Sequence, residues 1–278
     1  MKVRYIDAHT HAHFAAFNDD YKEVIGRALE VGVAVVNVGT QKDTSAKALE
    51  VAHEFSENVW AVVGLHPIHT EKSFHDAKEL GAGGDESGFT SRGEMFDYEY
   101  YRKLALDPKT VAIGECGLDY FRLGEETKEK QKEAFLKQVE LAYDVKKHLM
   151  IHCRDAFGDL IKILEENKNK LNAKPGVVHF FTGTVDDARK LLSLGFYFTF
   201  GGVITFARSY DKVIKTIPMD RLLSETDAPY VTPEPYRGKR NEPAYVVYVV
   251  RKLAELRGVS EEEMAEQIWA NAKAVFGI

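Results

Sequence analysis

Eight short apolar runs alternate with amphipathic stretches along the whole chain, and this alternation limits the possible folds more than any other feature. Most of the runs are rich in Val, Ile and aromatic residues and are continuously apolar, as expected of strands that are buried on both faces. Such strands are typical of parallel sheets covered by helices. The predicted strands are Val3–His9, Val33–Val38, Val59–Leu65, Val111–Glu115, Leu149–Cys153, Val177–Phe181, Phe196–Phe200 and Leu222–Thr226.

Helical periodicity fills the segments between these runs. The clearest case is Glu125–Lys147, where Phe135, Val139, Ala142 and Tyr143 form an apolar stripe. The other predicted helices are Asp20–Val31, Ser45–Glu57, Phe157–Lys170, Val185–Leu194, Ser209–Thr216, Pro243–Arg257 and Ser260–Val275. Eight strands each followed by helical material over about 250 residues predict an α/β fold, a TIM barrel, as a single domain spanning residues 1–278. A doubly wound sheet is the alternative, but no Gly-rich phosphate turn follows the first run.

One connection is far longer than a normal βα loop. Residues 68–109, after the third predicted strand, form an insertion that contains a Gly-rich stretch at 81–88 and then an aromatic cluster. It emerges on the face of a barrel that carries active sites. The sequence is equally compatible with a lid and with a disordered surface insertion. The aromatic cluster consists of Phe96, Tyr98, Tyr100 and Tyr101.

Composition narrows the classes of function. The chain has 278 residues, 37 basic and 43 acidic residues and a formal net charge of −6, which does not favour a protein that coats duplex DNA but allows an enzyme that grips a strand end. No apolar run approaches the ~20 residues that span a bilayer, and no signal segment is recognisable. Cys116 and Cys153 are expected to be free, buried packing residues in a reducing compartment. We predict a cytoplasmic protein without membrane contact.

Polar residues recur where the predicted strands end. His9 and His11 are two apart, so a strand directs both imidazoles to the same side. Catalytic groups of barrel enzymes lie at the C-terminal ends of the strands. Six of the eight predicted strands end this way, in His9 and His11, His66, Glu115 and Asp119, His152 and Arg154, His179, and Glu225 and Asp227.

Imidazoles together with carboxylates form a ligand set suited to Zn²⁺, Mn²⁺ or Mg²⁺. Four histidines and two carboxylates are more than one catalytic ion with an open position needs. We therefore predict two divalent ions bridged by a carboxylate, most naturally Glu115. Such a pair activates water or stabilises displacement at phosphorus. Asp227 is expected both to bind an ion and to take the proton from the attacking water.

The remaining histidines are not included in the predicted metal site. His53 and His148 lie in or beside charged helical stretches, so surface roles are expected. His69 and His75 fall in the insertion and carry no spacing information. His13 follows His11 by two, but strand alternation fails beyond a strand end, and we leave it outside the metal set.

A local cationic cluster suggests how a substrate binds. Arg154 closely follows His152, and residues 237–241 (Arg-Gly-Lys-Arg-Asn) follow the last predicted strand. Guanidinium groups and amide donors near the start of a helix are suited to phosphate. The alternative interpretation is a solvated basic loop.

Seven motifs in this order resemble those of the TatD family of metal-dependent deoxyribonucleases. They start at residues 7 (Asp-x-His-x-His), 64 (Gly-Leu-His-Pro), 112 (Ala-Ile-Gly-Glu-Cys-Gly-Leu-Asp-Tyr), 151 (Ile-His-Cys-Arg-Asp-Ala), 179 (His-Phe-Phe-Thr-Gly), 225 (Glu-Thr-Asp-Ala-Pro-Tyr) and 237 (Arg-Gly-Lys-Arg-Asn-Glu-Pro). Three departures are the long insertion, Thr182 where Ser is common and Ala12 where Leu is common.

The resemblance implies an amidohydrolase-like TIM barrel that uses divalent metals to hydrolyse phosphodiester bonds of DNA, in several members as a 3′→5′ exonuclease on single strands. It implies a substrate site that also holds a catalytic His66. The implied metal ligands are His9, His11, Glu115, His152, His179 and Asp227. The implied substrate contacts are His66, Asp119, Arg154, Arg237 and Asn241.

Three functional hypotheses follow. The first is a metal-dependent deoxyribonuclease that acts on DNA ends or single-stranded DNA. The second is a hydrolase of small amides or esters, including aminoacyl esters, which shares the metals but does not need the cationic cluster. The third is a non-catalytic nucleic-acid-binding scaffold, which gains little from six convergent metal ligands. The sequence leaves the native metal and the oligomeric state open.

Overall fold

Eight parallel strands form one sheet whose order follows the chain, as a TIM barrel requires. The computed structural model of the chain describes residues 4–75, 89–91 and 93–278. The predicted barrel is thereby confirmed, whereas the single-domain organisation stays a prediction. The barrel strands are β1 (Tyr5–Thr10), β2 (Val33–Val38), β3 (Val59–Val63), β6 (Thr110–Asp119), β7 (His148–Arg154), β8 (Gly176–Val178), β9 (Tyr197–Phe200) and β10 (Leu222–Ser224).

Helices follow the strands and cover the barrel. Most of the predicted helices are present with shifted ends. The α-helices are α1 (Tyr21–Glu30), α2 (Lys42–Glu54), α3 (Tyr98–Ala105), α4 (Lys128–Asp144), α5 (Phe157–Glu166), α6 (Val185–Ser193), α7 (Asp211–Thr216), α8 (Val246–Arg257) and α9 (Glu261–Phe276). Short 3₁₀ helices lie at Ala15–Phe17, Pro67–Thr70, Glu125–Thr127, Lys168–Lys170, Gly202–Thr205, Arg208–Tyr210, Met219–Arg221 and Pro243–Tyr245.

The long insertion contains more regular structure than the sequence predicted. Two short strands, β4 (Ser73–His75) and β5 (Phe89–Ser91), pair antiparallel, and the Gly-rich stretch between them lies outside the described residues. The aromatic cluster contains α3, a helix that the sequence analysis missed. Its N-cap Asp97 accepts a hydrogen bond from the Tyr100 amide at 3.1 Å, and Tyr101 is fully buried. In this part of the insertion, the aromatic residues therefore pack a helix onto the barrel.

The barrel core is apolar and densely aromatic. All residues of β2 and of β6 are buried. Phe181 and Phe198 meet edge to face with their ring centroids 4.9 Å apart. Cys116 and Cys153 are free and buried, which confirms their predicted packing role.

Side chains help to close the barrel between its first and last strands. The Ser224 hydroxyl donates to the Ile6 carbonyl at 2.8 Å. The Thr226 amide donates at 2.8 Å to the carboxylate of Asp7, which is fully buried. These bonds satisfy buried polar groups that would otherwise cost about 1–3 kcal/mol each. They also fix the position of β10 along β1.

Two register shifts lie beside predicted metal ligands. The pairing of β1 with β2 shifts between residues 7 and 10, around His9, and that of β6 with β7 shifts between residues 113 and 116, around Glu115. Irregularities of this kind redirect side chains, and they are common next to active sites.

Among the described residues, no helix combines the length and the apolar character needed to cross a membrane. The cytoplasmic location stays a prediction.

Candidate metal centre

Glu115 lies at the centre of the convergent histidines, with 3% of its side chain exposed. One carboxylate oxygen, Oε2, lies 3.4 Å from His9 Nε2 and 3.7 Å from His11 Nε2. The Asp227 carboxylate closes this side, with Oδ1 3.7 Å from His9 Nε2 and 3.4 Å from His11 Nε2. We call His9, His11 and Asp227 the Oε2 group.

The other carboxylate oxygen of Glu115 faces different residues. Oε1 lies 2.7 Å from His179 Nε2 and 3.0 Å from His152 Nδ1. These two ring nitrogens are 3.2 Å apart. We call His152 and His179 the Oε1 group. The structure thus brings all six predicted ligands together and divides the other five between the two carboxylate oxygens of Glu115.

His11 is held in the tautomer that a metal ligand needs. Its Nδ1 lies 2.7 Å from the Val38 carbonyl oxygen, which can only accept a hydrogen bond. The proton of the neutral ring therefore resides on Nδ1, and the Nε2 lone pair faces the site.

His66 is held in the opposite tautomer from His11. Its Nδ1 accepts a hydrogen bond from the Ile68 amide at 3.1 Å, so the proton of the neutral ring must reside on Nε2. That nitrogen lies 3.1 Å from Glu115 Oε1 and donates to it. Although His66, Glu115 and His152 are close enough to surround an ion, His66 offers a donor there and no lone pair. Its geometry favours the predicted substrate or catalytic role over metal ligation.

A buried carboxylate orients His152 from behind. Asp119 Oδ2 lies 2.9 Å from His152 Nε2 and receives its proton, which leaves Nδ1 free to face Glu115. Gln131 of α4 in turn accepts from the Asp119 amide at 2.8 Å and donates to its carbonyl at 3.0 Å. Asp119, predicted as a substrate contact, is 1% exposed and lies behind His152.

Glu225 serves His179 in a similar way, and the sequence analysis assigned it no role. Its Oε2 lies 3.7 Å from His179 Nδ1 and accepts a hydrogen bond from the Thr199 hydroxyl. The side chain is fully buried. Its position two residues before Asp227 was the only available signal. His9 stacks on the same His179 ring at a centroid distance of 3.8 Å.

Closure of the barrel aligns the Oε2 group. The Asp227 amide donates to the His9 carbonyl at 3.0 Å, and the His11 amide donates to the Ala228 carbonyl at 2.8 Å. Asp227 adopts a φ of 55°, in the left-handed region that Asp tolerates better than most residues. Main-chain hydrogen bonds between β1 and the segment after β10 therefore position these ligands.

Mutual electrostatics set the protonation of the centre. Burial opposes the charge of Glu115, but the surrounding histidines outweigh it and hold its pKa well below the usual value. Burial likewise opposes the charged form of His179, but Glu115 raises the pKa of His179 well above its usual value. Burial lowers the pKa of His66 to about 4, which keeps this ring neutral. The pKa values of His11, His152 and His179 are raised, so protons on these rings balance the carboxylates, and bound cations would replace them.

The residues present fit divalent ions. Two nitrogens that share one tetrahedral ion at about 2.1 Å lie about 3.4 Å apart. The Nε2 atoms of His9 and His11 are separated by 3.3 Å. Nitrogen and carboxylate donors of this kind suit zinc or manganese. Among the described residues, His9, His11 and Glu115 form one cluster able to hold an ion, and His9, His179 and Glu225 form another.

Solvent reaches the centre on one side. The side chains of Asp227 and His152 are each 18% exposed, whereas Glu115, His9, His11 and His179 are between 0% and 4% exposed. A substrate therefore approaches between Asp227 and His152. Two surface cavities of about 650 and 620 Å³ lie elsewhere and are lined by none of these residues.

The predicted cationic cluster is only partly available. Arg240 is paired with Asp20, with Nη1 donating to Oδ1 at 3.0 Å. Asn241 is fully buried, and its amide group donates to the carbonyls of Thr226 at 2.9 Å and of Tyr230 at 2.7 Å, so it braces the loop. Arg237 is exposed.

The histidines outside the ligand set occupy varied positions. His53 is exposed and lies 3.0 Å from Asp107, as expected of a surface residue. His148 is half-buried at the start of β7, the opposite end of the strand from His152. His13 and His69 are buried, and the side chain of His75 lies outside the described residues.

Comparison with known proteins adds an independent finding. A family model described as "TatD related DNase" matches residues 6–277. The Bacillus subtilis protein named "Uncharacterized metal-dependent hydrolase YabD" is 38% identical over 275 residues, 98% of this chain and 98% of the relative. A Shigella flexneri protein named "3'-5' ssDNA/RNA exonuclease TatD" is 33% identical over 279 residues, 97% of this chain and 96% of the relative.

A solved structure extends the comparison to three dimensions. The crystal structure of YJJV, a TatD homologue from Escherichia coli, superposes with a TM-score of 0.83 and 29% identity, and the match covers 100% of both chains. The likeness therefore includes every strand that contributes to the metal centre.

Proposed function

The chain belongs to the TatD-related DNase family, whose relatives include proteins named as metal-dependent hydrolases, and we propose that it shortens single-stranded DNA from the 3′ end. The observation that carries the proposal is the division of five predicted ligands between the two oxygens of the sixth, Glu115. The polarity and the single-stranded substrate rest on the printed name of the 33% identical relative.

Six residues would hold two divalent ions. The Oε2 group would hold one ion, the Oε1 group would hold the other, and Glu115 would be shared. The chemistry that such ions supply, when bound, is polarisation of the phosphodiester and activation of water. Mn²⁺, Mg²⁺ and Zn²⁺ all suit parts of this donor set.

Two residues have proposed roles, one in proton transfer and the other in hydrogen bonding to the substrate. Asp227 is the more accessible of the two carboxylates of the centre, and we assign to it the proton of the attacking water. His66 stays neutral because burial lowers its pKa to about 4. Its Nε2 proton is donated to Glu115 in the structure, and we assign to this proton a hydrogen bond to a phosphodiester oxygen when Glu115 binds an ion. Arg154 and Arg237 would bind flanking phosphates.

A digest of end-labelled DNA tests this function. With Mn²⁺ or Mg²⁺, a 5′-labelled single-stranded oligonucleotide should shorten stepwise from its 3′ end, and Glu115→Gln should abolish the shortening. Tyr143→Leu, at an exposed position of α4, is the control for substitution and should cleave like the native chain. An RNA oligonucleotide belongs in the same digest, since the relative's name includes RNA.

One outcome would overturn the proposed nuclease function, and another would overturn only its polarity. Intact DNA and RNA after incubation with every metal would exclude a nuclease. Hydrolysis of an aminoacyl ester or a small amide by the same preparation would then favour the second hypothesis. Shortening from the 5′ end would contradict the polarity alone.

A further inference from the structure

Phe121 is exposed beside the metal centre. Its side chain is 60% exposed, and its amide donates at 3.0 Å to Asp119, the carboxylate that orients His152. Exposure of such a large apolar side chain to water is unfavourable, so its position calls for an explanation. The other large apolar residues exposed in the described part of the chain are Val31, Met95, Leu106, Leu136 and Tyr143. None of these is linked to a ligand of the centre in this way.

A guanidinium group covers one face of Phe121. The Arg154 guanidinium carbon lies 3.6 Å from the centroid of the Phe121 ring. Arg154 ends β7 and is two residues from His152, so the stack lies at the open side of the site. Within the described ranges, this guanidinium forms no ion pair, and its N–H groups remain available to an anion.

A second stack of arginine on phenylalanine, in which the ring is partly buried, lies farther around the C-terminal end of the barrel. The Arg237 guanidinium carbon lies 3.8 Å from the centroid of the Phe206 ring. Arg237 is exposed and has no carboxylate partner among the residues that the structure describes, whereas the nearby Arg240 is paired with Asp20. The first stack follows β6 and β7 and the second follows β9 and β10. Because β8 separates them in the barrel, the two stacks flank the end of β8 that carries His179.

We propose that Phe121 with Arg154, and Phe206 with Arg237, form two stacking platforms for unpaired nucleotides next to the scissile bond. This inference rests on the proposed function and specifies how its substrate is recognised. An aromatic ring offers a flat face to any base, and a guanidinium group binds the adjacent phosphate. Bases in a duplex have both faces covered by their neighbours, so the platforms select single strands.

The platforms explain what the metal centre alone does not. A metal centre built from Glu115 and five surrounding ligands suits many esters, and the two stacks add recognition of a chain of nucleotides. Simple packing of arginine on phenylalanine is the competing explanation, and it predicts no dependence of binding on the bases of the substrate.

The experiment measures binding and turnover with two oligonucleotides. One is an ordinary 12-nucleotide single strand, and the other lacks bases at its three 3′-terminal positions. Anisotropy in EDTA gives the affinity, and digestion with Mn²⁺ gives KM and kcat. Phe121→Ala should weaken binding of the ordinary strand and raise its KM about tenfold, since base stacking contributes about 1–3 kcal/mol per base. Phe121→Trp should retain both values, and Tyr143→Leu is the control.

The abasic strand separates stacking from packing. The native chain should bind it about tenfold more weakly than the ordinary strand, whereas Phe121→Ala should no longer distinguish the two. Phe206→Ala should behave in the same way. The proposed platforms are wrong if Phe121→Ala binds the ordinary strand within twofold of the native affinity. They are also wrong if this variant loses affinity for the ordinary and the abasic strand equally.

The arginines give a second readout. Arg154→Ala and Arg237→Ala should each lower the slope of log affinity against log salt by about 0.7, the value for one phosphate contact to a single strand. Arg189→Ala, an exposed residue paired with Asp186, should leave the slope unchanged. An unchanged slope in both stacked variants would contradict the phosphate contacts.

Failure of the platforms and failure of the proposed function give different results. Binding that depends on Phe121 without any cleavage would overturn the nuclease but keep the platforms. Cleavage with native KM in the Phe121→Ala and Phe206→Ala variants would keep the nuclease but overturn the platforms. Absence of measurable binding by the native chain would overturn the platforms as well.

Discussion

The Oε2 group and the Oε1 group face the same carboxylate but are supported differently. In the Oε2 group, main-chain hydrogen bonds between β1 and the segment after β10 position His9, His11 and Asp227. In the Oε1 group, each histidine lies against its own buried carboxylate, Asp119 behind His152 at 2.9 Å and Glu225 beside His179 at 3.7 Å. One group therefore depends on closure of the barrel, and the other depends on side chains behind the ligands.

This difference predicts different responses to mutation. A conservative change behind the Oε1 group should loosen one ligand without affecting the fold. A change in the Oε2 group acts on ligands that share the seam of the barrel. The four predictions below run from the largest expected effect to the smallest.

Glu115→Gln should have the largest effect because both groups share this residue. We expect activity to fall at least about a thousandfold, since several kcal/mol of charge stabilisation are lost. The initial rate of hydrolysis of single-stranded DNA at saturating Mn²⁺ measures this loss of activity. A loss below tenfold would mean that Glu115 is not shared between two ions.

Asp227→Asn and His179→Ala should each remove one ion and leave the other. We expect equilibrium dialysis against Mn²⁺ to give about one ion per chain for each variant, with activity reduced about a hundredfold or more. Glu115→Gln in the same dialysis should bind less than either. If both variants kept two ions, the separation into groups would be contradicted.

Asp119→Asn and Glu225→Gln should weaken only the Oε1 group. Loss of a carboxylate behind a metal-binding histidine typically costs about 10–100-fold in affinity or activity. Isothermal titration with Mn²⁺ should show one weakened site and one unchanged site. Asp186→Asn, on the surface of α6, is the matched control and should leave both sites unchanged.

His13→Gln tests whether the Oε2 group ends at His11. Burial lowers the pKa of His13 to about 3, so the folded chain holds it neutral while the unfolded chain takes up a proton below about pH 6.5. Its contribution to the free energy of unfolding is therefore complete above about pH 6.5 and falls by about 1.4 kcal/mol per pH unit below that.

Urea unfolding in EDTA at several pH values between 7 and 5 measures this slope. In His13→Gln, the free energy of unfolding should fall less steeply as the pH is lowered, because the contribution of His13 is gone. The variant should still bind native amounts of Mn²⁺. Loss of an ion in His13→Gln would instead make His13 a ligand.

Much of this arrangement could be predicted because it depends on the barrel alone. Strand ends of a barrel converge, so His9, His11, His152, His179 and Asp227 could be placed together before any coordinates. The strand alternation that paired His9 with His11 holds in spite of the register shift around His9.

What escaped prediction depends on contacts across the fold. Glu225 stands in a recognised motif and Gln131 in an ordinary helical stretch, but only their partners His179 and Asp119 reveal what the two side chains do. The contacts of Asp119 and Asn241 with substrate stay predictions, and the structure adds that both side chains are buried and that each supports neighbouring residues. Helix α3 escaped because it lies within the long insertion, whose aromatic cluster is interpreted from the sequence as part of a lid or a disordered loop.

The most direct test of the account is an anomalous-scattering map from crystals grown with Mn²⁺. The account predicts two peaks per chain on opposite sides of the Glu115 carboxylate. One peak should contact His9, His11 and Asp227, and the other should contact His152 and His179, with His66 bound to neither. A single peak, or a peak bound to His66 Nε2, would contradict it.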